Sequence, residues 1–477
     1  MIDIPANRLS NENRSDKLHV GLEIGTTKIR VVVAEGKGDR TIRILGVGEA
    51  PSRGVRKGEI VDPVAAAECI CAALREAEES SKTTIKKVSV AITGSHLKSF
   101  ISRASLIFPK APHQISLGDI TTVEQMAWDA VLPGDNILIQ AIQGDYVCEF
   151  LNTNIDYQEH AVSAEDFGET CLKADFHIIH GSRKRIQRTL DCLESLQLEV
   201  ESLVPSSLAC ATALLTREEM LRGVLVIDLG GGITDYLIYL DGAVRHSGVL
   251  AVGGDHITND ISIGLRLPIA IAELVKTKEG SVSKEVNSHE GIITLKRDPG
   301  LPDYEIDRVS LDTIIHLRVR EIFQQVRNHI ASSGESDPEE SILEKLNEVV
   351  LTGGGSKLHG IAEVASQVFK LPVKLGHASG VSGTNSIIEN PGFTTAIGLT
   401  KYAIESTPST FEPQGLSTTP IEESLLKKEI QNNKEYRAAL REERGAGKNL
   451  SQAGGEDLDI PTFLRKGTDG VEIKPAK

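Results

Sequence analysis

The chain has 477 residues, a formal net charge of −15 and a pI near 5.4, a length that allows about two to four domains with sizeable cores. The acidity argues against a general nucleic-acid binder, which needs a basic face, and no apolar run approaches the roughly 20 residues that cross a bilayer. The six cysteines are scattered without metal-ligand spacing, and the polar start (Asn7, Arg8, Asn11, Glu12) lacks the apolar core of a signal peptide, so a cytoplasmic protein with reduced, packed thiols is expected.

Residues 1–16 read as a disordered leader. Apolar runs at 18–22 and 29–34 then flank Gly25-Thr26-Thr27-Lys28 and predict a hairpin. A helix is expected over 63–82, opened by Pro63, a favoured first-turn residue. A strand at 88–92 ends in Thr93-Gly94-Ser95. Residues 96–172 carry no phosphate-loop signature, mix a strand at 137–142 with an acidic helix near 120–131, and read as an inserted subdomain. Regularity returns at 176–179, followed by a helix from Arg183 to about Leu196.

The second half repeats the scheme. A buried strand at 224–229 leads into Gly230-Gly231-Gly232, and a partner strand follows at 236–240. A second inserted region spans 256–330 and holds a helix near 309–330, with Ile315, Val319, Ile322, Val326 and Ile330 at spacings of three and four. That stripe is core packing. Residues 349–405 close the fold, with a third glycine run, Gly353-Gly354-Gly355-Ser356, after the strand at 349–351. Beyond 405 the chain turns to Pro, Ser and Thr, then to dense charge, and reads as a flexible tail.

Three glycine loops, each behind an apolar strand, imply two similar halves closing on one nucleotide. Glycines let backbone N–H groups approach phosphate oxygens without a Cβ clash. In the first loop Gly25, Thr26, Thr27 and Lys28 are candidate phosphate contacts, and Gly230, Gly231, Gly232 and Thr234 repeat them in the second. Asp228, at a strand end, can hold a Mg²⁺-bound water. Gly353, Gly354, Gly355 and Ser356 allow backbone to lie against a ribose or base. A Walker loop is absent. So is a dinucleotide fingerprint, because the first loop continues as a strand and not a helix.

These loops resemble the phosphate and adenosine motifs of the actin/Hsp70/sugar-kinase superfamily. Their wording is similar to that of the FtsA family of actin-like bacterial cell-division proteins. Gly54-Val55-Arg56-Lys57-Gly58-Glu59, Gly253-Gly254-Asp255, Ala272-Glu273 with Lys276, and Asn390-Pro391-Gly392-Phe393 extend the match over about 18–405. The resemblance implies an α/β, actin-like ATPase fold of two lobes, each a mixed sheet with flanking helices, with an FtsA-type 1C insertion. It assigns 17–95 and 173–202 to subdomain 1A, 96–172 to 1C, 203–255 and 331–377 to 2A, 256–330 to 2B, 378–405 to a return to 1A, and 406–477 to the tail. Glu273 and Lys276 then face the ribose and base.

The resemblance further implies ATP and Mg²⁺ as ligands, head-to-tail self-association, and binding of the C-terminal peptide of FtsZ through 2B, with other division proteins as partners. It places the protein at the septum, on the inner face of the cell membrane. Two departures bear on chemistry. Glu23 stands where most of the superfamily has Asp; its carboxylate reaches one methylene further and is expected still to order Mg²⁺-bound water. Val204 stands near the place where active ATPases orient the attacking water, so slow or negligible hydrolysis is expected.

The family's amphipathic membrane helix has no convincing counterpart here, and attachment is peripheral at most. Residues 456–466 instead resemble the FtsZ peptide itself, with Ile460, Pro461, Phe463 and Leu464 as groove-filling residues. About 54 residues of flexible chain give this segment an r.m.s. reach of roughly 40 Å, enough to meet its own 2B, a neighbour's, or another reader of such peptides. Arg308, Arg318 and Arg320 are the candidate contacts in 2B. The rival readings are a small-molecule kinase, an Hsp70-like chaperone and a PilM-like pilus-assembly actin homologue. The first lacks an evident base and pocket, the second lacks a substrate domain, and the FtsZ-like tail disfavours the third.

Overall fold

The computed structural model describes residues 18–37, 41–108, 115–129, 132–151, 169–282, 291–296, 303–332, 342–405, 458–465 and 475–476. The expected leader and most of the tail lie outside the described residues. The chain divides into one unit of residues 1–410 with 460–477 and a second of 411–459, of which residues 458 and 459 are described.

Each lobe grows from an antiparallel hairpin whose turn is a glycine loop. In the first, β1 (Leu18–Ile24) and β2 (Lys28–Gly36) pair from Leu18↔Glu35 to Ile24↔Ile29. β3 (Ile42–Pro51) continues antiparallel, followed by a short ribbon of β4 (Val55–Arg56) and β5 (Glu59–Ile60). Helix α1 (Pro63–Ser81) starts with Pro in its first turn, and the Asp62 side chain caps it by accepting from Ala65 N at 3.2 Å. It buries Ala66, Ile70, Ala73 and Ala77 on the sheet. Gly48 permits that approach, since an added Cβ would stand 1.9 Å from the Ala73 carbonyl oxygen. β6 (Lys87–Ile92) pairs parallel to β1 and is buried along nearly its whole length, as a parallel strand covered on both faces should be.

The chain then leaves this sheet. β7 (Lys98–Phe108), α2 (Leu117–Trp128), β8 (Asn136–Leu151) and β9 (Glu169–Ser182) build a separate three-stranded layer in the order β7-β9-β8. Its own core holds Ala104, Val123, Ala127, Leu172, Phe176 and Ile178. β9 pairs with β7 through His180 and with β8 through Ser182, so this layer runs ten residues past the expected boundary at 172. Helix α3 (Arg183–Ser195) and β10 (Glu199–Pro205) return to the first sheet, and α4 (Ser206–Leu214) leads out of it.

The second lobe repeats the hairpin. After α5 (Arg217–Arg222), β11 (Val224–Leu229) and β12 (Thr234–Leu240) pair from Val224↔Tyr239 to Leu229↔Thr234, and β13 (Ala243–Leu250) follows antiparallel. Helices α6 (Gly254–Leu265) and α7 (Ile269–Glu279), the ribbon of β14 (Ile292–Leu295) and β15 (Tyr304–Asp307), and the long α8 (Arg308–Ser332) come next. β16 (Glu348–Thr352), α9 (Ile361–Phe369), β17 (Val373–Leu375), β18 (Val381–Ser382), α10 (Asn385–Ile388) and α11 (Thr394–Glu405) complete the order.

The two main sheets run β10-β6-β1-β2-β3-β18 and β13-β12-β11-β16-β17. Helices α4 and α11 sit between them. One buried cluster joins Val32 and Ala34 of the first sheet, Ala209 and Ala396 of the helices, and Val226 and Val350 of the second sheet. Close helix packing needs Gly398, where an added Cβ would meet the Ala209 carbonyl oxygen at 1.8 Å. This arrangement aims both hairpin turns at one cleft.

Candidate nucleotide cleft

The cleft encloses about 480 Å³. Glu23, Gly25, Thr26, Thr27 and Lys28 line it from the β1–β2 turn, and Asp228, Gly230 and Gly231 from the β11–β12 turn. Gly353, Gly354 and Gly355 line it beyond β16, and Glu273 and Lys276 from α7. Three candidates, Gly232, Thr234 and Ser356, are not among the lining residues. An added Cβ at Gly232 would stand 2.6 Å from Thr26 Oγ1. Thr234 Oγ1 donates to the Val252 carbonyl at 2.8 Å, and Ser356 Oγ to the Gly353 carbonyl at 2.8 Å. These three residues hold the turns in shape.

The two hairpin turns face each other closely. An added Cβ at Gly231 would lie 2.0 Å from Thr27 Oγ1. Thr26 Oγ1 accepts from Gly58 N at 3.0 Å, which fixes the first turn against the β4–β5 ribbon. Gly354 differs: nothing lies within 4 Å of its Cβ direction, so bare backbone faces open space.

Carboxylates gather on the inner wall. Asp228 Oδ2 accepts from Thr395 Oγ1 at 3.2 Å and from Cys210 Sγ at 3.3 Å. Burial raises the Asp228 carboxyl above its ordinary range, and burial drives the Cys210 thiol well up, helped by Asp228. Asp235 accepts from Thr93 Oγ1 at 2.6 Å, and burial followed by the neighbouring Asp228 pushes it well above the usual carboxylate range. Burial pushes Glu23 up to about 7, against the pull of Arg30.

Arg30, Glu49, Thr93 and Lys357 line the cleft as well, although none stands in a glycine motif. Arg30 reaches Glu49 at 2.9 Å and Glu23 at 3.6 Å, and sits 5.4 Å over the Phe393 ring. Lys28 is also paired with Glu49. A signal existed for Arg30: in the hairpin register it lies directly opposite Glu23. Ser206, not Val204, lines the cleft from the β10–α4 junction, since Val204 is wholly buried in the core between the sheets. On α7, Lys276 Nζ contacts Glu273 Oε2 at 2.6 Å, Thr258 Oγ1 at 2.8 Å and the Gly254 carbonyl at 3.1 Å. A charged pair is thus fixed at the cleft wall.

This donor set suits a phosphorylated ligand with a hydrated cation. Gly354 offers a cradle that a Cβ would fill, and Glu23 Oε2 is buried and meets Arg30 at 3.6 Å, beyond hydrogen-bond reach. Among the described residues no group of three acidic, His or Cys side chains forms a direct metal cage. Mg²⁺ needs no such cage, since it keeps several waters and takes one or two carboxylates plus phosphate oxygens.

The candidate peptide contacts separate. Arg318 lies beneath Ile460 and donates to its carbonyl at 2.9 Å. Arg308 instead pairs with Glu279 at 2.7 Å, and Arg320 lies on the exposed side of α8. Pro461 is buried and Phe463 partly so, but Ile460 and Leu464 are 44% and 60% exposed and do not fill a groove.

The fold and cleft define an actin-like, two-lobed protein. A family model for cell division protein FtsA matches residues 225–398. The chain is 31% identical over 392 residues to cell division protein FtsA of Pseudomonas aeruginosa, covering 82% of this chain and 90% of the relative. It is 34% identical over 384 residues to that of Neisseria meningitidis, covering 79% and 88%. The PilM–PilN type IV pilus biogenesis complex is similar in structure, with a TM-score of 0.53 at 17% identity over 81% of this chain and 99% of that one, a likeness of fold alone. The chain belongs to the FtsA family of cell-division proteins.

Proposed function

We propose that this chain is an ATP-binding division scaffold that self-associates and links FtsZ to the division machinery at the membrane. The observation that carries the reading is the convergence of three glycine loops, distant in sequence, on one cleft of about 480 Å³. Gly25 to Lys28 and Gly230 to Gly231 would hold the β- and γ-phosphates, Gly353 to Gly355 the adenosine, and Glu273 with Lys276 the ribose and base. Asp228 and Glu23 would order water on Mg²⁺, which supplies charge neutralisation at the phosphates. Attachment to the membrane is peripheral in this reading; among the described residues no helix is long and apolar enough to cross one.

Co-sedimentation of the full chain with FtsZ filaments tests the linkage. The expected outcome is co-pelleting that ATP strengthens; equal recovery with and without FtsZ would refute it. The pilus-type alternative is less favoured, because that likeness is of fold at 17% identity while the FtsA relatives reach 31–34%.

A further inference from the structure

Residues 460–465 lie in a prepared seat between α6 and α8. The base of the seat is an ion-paired triad. Arg318 donates to both oxygens of Asp260, at 2.7 and 2.8 Å, and to Glu321 Oε2 at 2.9 Å. The segment adds to each member. Arg318 Nη2 also donates to the Ile460 carbonyl at 2.9 Å. Thr462 Oγ1 donates to Glu321 at 2.6 Å, and Thr462 N points to Asp260 at 3.5 Å. Arg465 pairs with the other Glu321 oxygen and folds back on the Ile460 carbonyl at 2.6 Å.

Apolar contact completes the fit. A single 3₁₀ turn over Thr462–Leu464 turns Pro461 and Phe463 inward. Phe463 lies over Gly264 of α6, where an added Cβ would stand 3.0 Å from the ring and 2.7 Å from Ile314. Gly264 therefore leaves the room that the ring takes.

The triad is complete without the segment, because the Asp260–Arg318–Glu321 bonds do not involve it. A seat whose base is bonded by the fold's own residues binds with little reorganisation. The segment contributes two sunken side chains and a few hydrogen bonds, which is a modest hold. Its tether raises its local concentration without adding any contact.

We propose that residues 460–465 are a built-in competitor for the peptide-binding step of the FtsZ linkage proposed above, holding the α6–α8 groove through their Ile-Pro-x-Phe-x-Arg pattern. They occupy the groove in cis and yield it to the same pattern on another polypeptide. The inference rests on these contacts and on the FtsZ-linking reading above, and stands independently of the nucleotide reading.

The test is fluorescence anisotropy of a labelled synthetic peptide spanning residues 456–466, titrated against the full chain and against full-chain Phe463→Ala. That substitution lies in the tail and leaves the triad intact. The variant is expected to bind the peptide at least about tenfold more tightly than the parent, because the tethered competitor has lost its anchor. Adding Gly264→Leu to the variant, which fills the ring seat, should remove that binding. Equal affinity of parent and Phe463→Ala, or no saturable binding to Phe463→Ala, would overturn the proposal. So would binding that Gly264→Leu leaves unchanged in a folded protein, as judged by circular dichroism.

Discussion

Thr93 Oγ1 donates to Asp235 Oδ1 at 2.6 Å, across 142 residues of sequence, and ties the end of β6 in the first lobe to β12 in the second. Asp235 is 3% exposed, so this hydroxyl satisfies a carboxyl that solvent barely reaches. Thr93→Val keeps the side-chain shape and removes the donor. It should cost about 1–3 kcal/mol, the penalty of an unsatisfied buried polar group. Thr93→Ser should stay close to the parent. Urea unfolding of the two variants checks this, and equal stability would contradict it.

Gly353 and Gly354 are neighbours with opposite expectations. Gly353 has φ of +84°, and an added Cβ would stand 2.2 Å from Asp228 Oδ1 and 2.6 Å from the Leu229 carbonyl oxygen. Gly353→Ala should destabilise the chain by about 1–3 kcal/mol through strain and overpacking. At Gly354 a Cβ meets nothing within 4 Å, so Gly354→Ala should fold normally. Its methyl would project into the cleft and weaken nucleotide binding. Thermal melts and titration with a fluorescent ATP analogue separate the two effects.

Glu23 gives a pH prediction. Burial raises its carboxyl from 4.5 to about 7. A raised folded-state pKa means stability that is full below 4.5 and is lost as pH rises through about 7. Relative to Glu23→Gln, the nucleotide-free parent should therefore lose on the order of 1–3 kcal/mol between pH 4.5 and pH 7. Buried His177 and His246, lowered to about 3 and 4, act in the opposite sense as acid charges them. The readout is therefore the difference between parent and variant at each pH, not the parent's curve alone. A difference that is flat from pH 4.5 to pH 8 would contradict the assignment.

The β10–α4 junction predicts the rate of hydrolysis. Val204 is buried in the core, and Ser206 is the residue there that lines the cleft; its Oγ points to the Ile92 carbonyl at 3.5 Å. Neither is a carboxylate or amide suited to orienting an attacking water. Phosphate release from Mg²⁺-ATP should be slow, below about one turnover per minute, against roughly 1–100 per second for kinases. Release at a kinase-like rate would contradict this.

Much of this was legible in the sequence because it is local. The glycine turns follow their strands directly, Pro63 marks the start of α1, and the stripe from Ile315 to Ile330 marks the buried face of α8. What was hidden depends on pairing. Arg30 becomes a cleft residue because the hairpin register sets it opposite Glu23, and Thr93 because a strand from the other lobe brings Asp235 to it. The end of the inserted layer was missed because β9 is one continuous strand through 172, with no turn residue to mark a boundary. Ile460 and Leu464 read as anchors by their apolarity. The 3₁₀ turn instead directs Pro461 and Phe463 inward and leaves those two outside.

The central claim is that the three loops form one nucleotide site. Equilibrium dialysis of the full chain with radiolabelled Mg²⁺-ATP tests it most directly. The account predicts saturable binding of one nucleotide per chain, weakened in a folded Gly354→Ala variant. Absence of saturable binding, or binding that Gly354→Ala leaves unchanged, would contradict it.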